Sequence, residues 1–191
     1  FLPIYSDSVP ERVHFQAKRL GWSVDDLVVE CKSISGIDHK LCAQIKRTFV
    51  VSATDKECVK TFSAAWADFK GASFQKNFDA LALVVHLGTN RLLGDFGWLL
   101  TQARASGSLA DFQNRLSGAG LLNKKSKNDY GTIEAILRDA NGGTLDASEA
   151  WEFLKGSYIL SYDFSDASAK DEASVKSTLQ SLRADDAPID A

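Results

Sequence analysis

Between Arg138 and Phe153 the chain reads RDANGGTLDASEAWEF. Asp139, Asn141, Asp146 and Glu149 set side-chain oxygens at short intervals around a glycine pair, and closely spaced oxygens are what a hard cation such as calcium takes as ligands. The same residues have a second use. Asn141-Gly142-Gly143 suits a turn that needs positive φ. Asp146-Ala-Ser-Glu149 has the form of a capping box, with both acids at the positive end of the helix it opens. Capping accounts for each conspicuous residue without an ion, so no cofactor is expected and calcium is the alternative.

In the calcium reading Asp139 takes the first loop position and Asn141 the third. Gly143 is the turn glycine, Leu145 the aliphatic position and Glu149 the bidentate ligand. The stretch resembles the EF-hand family. A second loop thirty-six residues upstream, with Gly107-Ser108-Leu109 and Gln113 at matching places, extends this to a degenerate EF-hand pair over residues 96–154. The resemblance implies two adjacent helix–loop–helix units and a calcium-regulated module. Two departures weigh against ion binding. Asp139 to Glu149 spans eleven residues, so the ligand of position 5 is missing. The upstream loop offers Gln102, Arg104, Ser106 and Ser108, none a carboxylate.

Other reactive side chains are sparse. Cys31, Cys42 and Cys58 are separated by ten and fifteen residues, which fits no zinc spacing. A Cys31–Cys42 or a Cys42–Cys58 bridge is expected to tie neighbouring helices, with the leftover thiol leaving a disulfide-linked dimer open. His14, His39 and His86 belong to no nucleophile motif, so no catalytic residue is assigned. Gly88-Thr-Asn-Arg91 lacks the spaced glycines and lysine of a nucleotide loop and reads as a helix stop with an Asn cap. Trp22, Trp98 and Trp151 are the candidate anchors for a protein partner, whereas Trp66 continues an apolar stripe and reads as core.

The elements that must position these groups read as helices almost throughout. Ser23-Val-Asp-Asp26 and Thr54-Asp-Lys-Glu57 look like capping boxes. Stripes follow at Leu27, Val28 and Cys31; at Leu41, Cys42, Ile45 and Phe49; at Cys58, Phe62, Ala65, Trp66 and Phe69; and at Phe74, Phe78, Leu81 and Val85. Further helices are expected over residues 90–105, 108–116, 130–138, 146–154 and 169–182. Tyr158–Tyr162 reads as an extended connector, and Lys124-Lys125-Ser126-Lys127 as a solvated loop. The expected fold is therefore all-α, a compact bundle of about eight to ten short helices. It forms one domain over 1–182, with subdomains 1–71 and 72–182 as a variant, and a flexible acidic tail over 183–191.

The chain has 191 residues and a net charge of −3, which argues against a nucleic-acid partner. Its longest apolar run, Ala80 to Leu87, is too short to span a bilayer. It starts at Phe1 and contains no methionine, which points to a mature secreted chain. The expectation from all this is a secreted, non-catalytic helical interaction protein of the effector, toxin-subunit or binding-factor type. A calcium-regulated EF-hand-like module, and an enzyme whose site is assembled from scattered residues, are the alternatives.

Overall fold

The computed structural model describes residues 8–118 and 120–163. Its strands are β1 (Ser8–Phe15), β2 (Leu27–Ser33), β3 (Asp38–Lys46), β4 (Ala80–His86) and β5 (Ser157–Tyr162). Its helices are α1 (Lys56–Lys70), α2 (Gly97–Ala105), α3 (Leu109–Ser117), α4 (Lys124–Ala140) and α5 (Ala147–Lys155). A π-helical turn, Leu92–Phe96, runs directly into α2. The five strands form one mixed sheet in the order β1-β2-β3-β4-β5. β1, β2 and β3 are an antiparallel meander, and β4 and β5 add to it in parallel through helical crossovers.

The all-α expectation is thus overturned: the fold is α/β, and three segments read as helices are strands. β4 shows why. ALALVVH is apolar without alternation because both faces are covered, Leu81, Leu83 and Val85 on one and Ala80 and Ala82 on the other. Such a strand cannot be told from a buried helix by periodicity. In β2 and β3, Leu27-Val28-Cys31 and Leu41-Cys42-Ile45 happen to match helical spacing. Their true pairing is Leu27 opposite Ala43 and Val28 opposite Cys42. The connector expected at 158–162 is β5, whose partner is β4. The lysine-rich stretch 124–127 is the first turn of α4, capped by Asn123, whose side chain accepts from Ser126 N at 2.8 Å. The expected helix 169–182 and tail 183–191 lie outside the described residues.

The core joins one face of the sheet to the helices. Val28, Cys42, Leu81, Leu83 and Val85 pack with Phe62, Trp66 and Phe69 of α1, and with Leu99, Ile133 and Phe153 of the later helices. Trp66 stacks on Phe69 at 5.3 Å, and Phe153 meets both edge-on at 5.6 Å. The helices are cut by local chemistry: Asp55, Ser108 and Asp146 each cap a first turn through a side-chain oxygen.

No disulfide ties this core: Cys31, Cys42 and Cys58 are free and buried. The expected bridge fails on register. Cys31 sits opposite His39, and Cys42 opposite Val28, so the two cysteines are offset along adjacent strands and point to opposite faces. Burial raises all three thiols, Cys58 to about 11, which leaves little thiolate near neutral pH.

Two buried aspartates fasten the layers instead. Asp79, just before β4, accepts from Lys40 N at 2.7 Å and Gln75 N at 2.8 Å. Asp68, near the end of α1, accepts from Ser23 N at 2.6 Å and Val24 N at 2.7 Å. Desolvation raises both carboxyls against these donors, and it raises that of Asp129 on α4 as well. A carboxyl raised in the folded state binds its proton more tightly there than in the unfolded chain. It adds stability below its unfolded value and loses that contribution as pH climbs through the folded one. We expect the melting temperature to increase as pH is lowered from neutral towards the ordinary carboxylate range. Thermal melts across that interval test this; a melting temperature that only falls on acidification contradicts it.

Candidate active site

The antiparallel register of β2 and β3 assembles a cluster that the linear sequence scatters. Leu27 pairs with Ala43, so the next step along each strand brings Asp26 against Gln44. Strand alternation then sets Gln44 and Lys46 on one side of β3, roughly 7 Å apart along the strand. Oδ2 of Asp26 accepts from the Gln44 side-chain amide and, at 2.6 Å, from Ile45 N. Because Gln44 donates through Nε2, its carbonyl Oε1 is left as an acceptor. Among the described residues, Oδ1 of Asp26 likewise has no hydrogen-bond partner. Two oxygens on side chains already in contact thus remain available.

Lys46 follows Gln44 by two residues on the same side of β3. Its ammonium lies 2.9 Å from Oε2 of Glu57 in the first turn of α1, and its side chain is only 18% exposed. The Lys46 hydrogen bond and charge hold the Glu57 carboxyl below its ordinary value. On the β1 side, Gln16 adopts φ 53° and ψ 51°, a left-handed conformation uncommon for a residue with a side chain. That turn ends β1 and starts the 3-10 turn Ala17–Leu20, which presents Lys18 and Arg19. Gln16, Lys18, Arg19, Asp25 and Asp26 border a cleft of about 380 Å³. Strained backbone concentrates where surrounding structure enforces it for function. Here Gln16 N and Ala17 N bind the carbonyls of Asp26 and Asp25 at 3.2 and 2.9 Å, which fixes the rim to the floor.

Asp68 positions this floor from beneath. Its two hydrogen bonds hold Ser23 and Val24, immediately before Asp25 and Asp26, and Val24 is 1% exposed in the core. The floor of the cleft therefore rests on α1 through Asp68.

The arrangement suits a hard divalent cation. Asp26 and Gln44 offer oxygens, and magnesium is commonly held by one or two carboxylates with waters and substrate phosphates completing its shell. Among the described residues, no three His, Cys, Asp or Glu side chains gather as a cage, so such a cation would depend on Gln44 and on substrate oxygens. The cations Lys18, Arg19, Lys46 and Arg47 lie along the same end of the meander. The net charge of −3 conceals this local sorting.

The residues singled out from the sequence lie elsewhere. Asn141 Oδ1 accepts from the Trp66 indole at 3.3 Å, and its amide donates to Thr144 O at 2.9 Å. Asp146 caps α5 through Ser148 N and Glu149 N at 2.7 and 3.2 Å. Glu149 pairs with Lys70 at 2.5 Å and lies 3.6 Å from Lys76, while Asp139 is exposed on α4. Trp151 is partly buried and donates to Ala103 O at 3.1 Å. Trp22 is partly buried against the core, with the Lys40 ammonium 5.8 Å from its ring. Trp98 alone of the three is largely open, at 47%, and donates to Leu121 O at 2.7 Å. The missed residues, Asp26, Gln44 and Lys46, had one signal: two short apolar runs around Ser-Ile-Ser-Gly-Ile, which is a hairpin pattern.

The fold and cleft define an α/β protein with a mixed sheet, helices against one face and a carboxylate–amide–lysine cluster at the end of its meander. The chain matches no known protein family, no curated protein and no solved structure.

Proposed function

We propose that the chain is a metal-dependent phosphodiesterase acting on a polyanionic backbone, with its site at Asp26, Gln44 and Lys46. The observation that carries this is the Asp26–Gln44 contact, which leaves one oxygen of each side chain available, with Lys46, paired to Glu57, two residues along β3 on the same side. Asp26 and Gln44 would hold the cation, which when bound would supply an acidified water for attack on phosphorus. The P–O bond to the departing alcohol would break as the new P–O bond forms, with the alkoxide taking from solvent the proton that the attacking water gives up. Lys46 stabilises the charge that accumulates on the phosphoryl oxygens. Lys18, Arg19 and Arg47 draw in the flanking phosphates, so the overall negative charge does not exclude such a substrate.

Incubation with a fluorescent oligonucleotide and magnesium or manganese tests the reading. Cleavage that chelation abolishes is expected. Absence of cleavage with either metal, together with no saturable manganese binding by calorimetry, would sink it.

Trp98 favours a second reading, that of a protein-binding module. A groove of about 360 Å³ between α2 and β5 is lined by Leu93, Gly94, Trp98, Arg104, Tyr158 and Ile159. Arg104 lies over Tyr158 at 4.4 Å and donates to Ser157 O at 2.5 Å, so one edge of the groove is rigid. A bound protein partner lost on Trp98→Ala, with oligonucleotide cleavage unchanged, would support this role.

A further inference from the structure

A second cavity lies across β3 from the Asp26 cleft, at the carboxyl ends of the parallel strands β3 and β4. The cavity measures about 260 Å³ and is lined by Phe49 and Val51 after β3, Thr89, Arg91 and Leu92 after β4, and Asp129 of α4. It adjoins the π-helical turn Leu92–Phe96, a helix defect often found at functional sites.

Its polar groups are few and opposed in charge. The Asp129 side chain is 3% exposed, and its Oδ1 lies 3.3 Å from Arg91 Nη2. Its Oδ2 is buried without a hydrogen-bond partner, a costly state for a carboxylate. Desolvation raises this carboxyl, with Arg91 pulling against it and Asp95 adding to it. Arg91 is half exposed at the mouth and keeps further N–H donors. Thr89 Oγ1 accepts from Leu92 N at 3.2 Å, which leaves its own proton to donate. Phe49, Val51 and Leu92 supply an apolar floor.

We infer that this cavity binds a small apolar α-amino acid as its zwitterion. The ammonium donates to Asp129 Oδ2 and satisfies the orphaned oxygen. The carboxylate accepts from Arg91 and from the Thr89 hydroxyl, and the side chain occupies the floor between Phe49, Val51 and Leu92. A phosphate ester fits less well: its net negative charge would face Asp129 and Asp95, whereas a zwitterion is neutral overall and matches an Arg–Asp pair at both ends. The site is independent of the Asp26 cleft and stands whether or not that cleft cleaves phosphodiesters.

Calorimetry and ligand-observed NMR with L-leucine on the full chain test it, with isopentylamine and 4-methylpentanoate as probes that each lack one charged end. Saturable leucine binding is expected, with both truncated probes weaker by at least about tenfold. Asp129→Asn, close in size, and Arg91→Gln should each weaken leucine by a similar factor while circular dichroism stays unchanged. Arg91→Gln at the open mouth provides the comparison if the buried substitution disturbs folding. No saturable leucine binding at millimolar concentration, or leucine affinity unaltered in a folded variant, overturns the inference and leaves the cavity a water site.

Discussion

Asp26→Ala is expected to lower metal-dependent cleavage at least about a hundredfold while leaving the chain folded. Removing one preorganised charge-stabilising group from a site costs roughly 10²–10³ in rate, and Asp26 has two roles there. In the proposed site it offers a ligand oxygen, and it accepts from Gln44 Nε2, which leaves the Gln44 carbonyl oxygen available. Its loss also frees Ile45 N, whose residue is half exposed, so water takes over that bond and the stability cost stays small. Lys46→Ala should reduce the rate by a similar factor without loss of manganese binding, because its ammonium acts on the substrate and not on the metal. Gln44→Glu separates the roles further. It keeps an oxygen at the site but replaces the donor to Asp26 with a second carboxylate, so like charges face each other until a cation intervenes. That variant should be less stable than the parent without metal and should gain more in melting temperature when manganese is added. Oligonucleotide cleavage and metal-dependent melting curves read all three. Full activity in Asp26→Ala would remove the site from consideration.

Asp68→Ala is expected to be among the most destabilising single changes in the chain. It strips the acceptor from Ser23 N and Val24 N, both under 2.8 Å, and Val24 lies in the core. A buried donor left without an acceptor costs about 1–3 kcal/mol. With one of the two donors fully buried and the other reached in part by water, the sum is about 3 kcal/mol. For a domain of this size that corresponds to a fall in melting temperature of roughly 6–12 °C. Thermal melts at neutral pH check the figure, and a shift within a degree or two would show that the bonds carry no net stability. Asp68 touches nothing in the cleft, yet it holds the two residues ahead of Asp25 and Asp26. The variant should therefore lose cleavage at temperatures well below its midpoint, with manganese binding weakened and the response to Lys46→Ala unchanged in direction.

The pattern of success and failure along the chain follows from how far apart the determining contacts lie. From Asp55 onward α1, α2, α3 and α5 were legible because their signals are local, whereas the first turns of α4 read as a loop. Asp55, Ser108 and Asp146 cap first turns from a few residues away, and Phe62, Ala65, Trp66 and Phe69 recur at the helical period. The loop 139–149 was readable for the same reason: the capping of α5 by Asp146 is a contact between near neighbours. What could not be read there was the use of Asn141, which serves Trp66 across a sequence separation of 75 residues.

The meander and the site had no such local code. β2 and β3 carry apolar residues whose spacing fits a helix as well as a strand, and β4 is apolar on both faces, so periodicity does not distinguish the alternatives. Pairing decides between them, and pairing is a relation between segments. Asp26 and Gln44 are individually ordinary polar residues, one at the edge of a strand and one within it. Antiparallel register brings them into contact, α1 returns Glu57 to Lys46, and the left-handed turn at Gln16 folds the basic rim over the floor. The sequence by itself determined the caps at Asp55, Ser108 and Asp146, the helical stripe of α1 and the absence of a bilayer-length apolar run, because each depends on residues close to one another in the chain. Tertiary structure alone decided that three apolar runs are strands, that Cys31 and Cys42 point to opposite faces and that Asp26 meets Gln44, because hydrogen bonding between distant strands sets which side chains face each other.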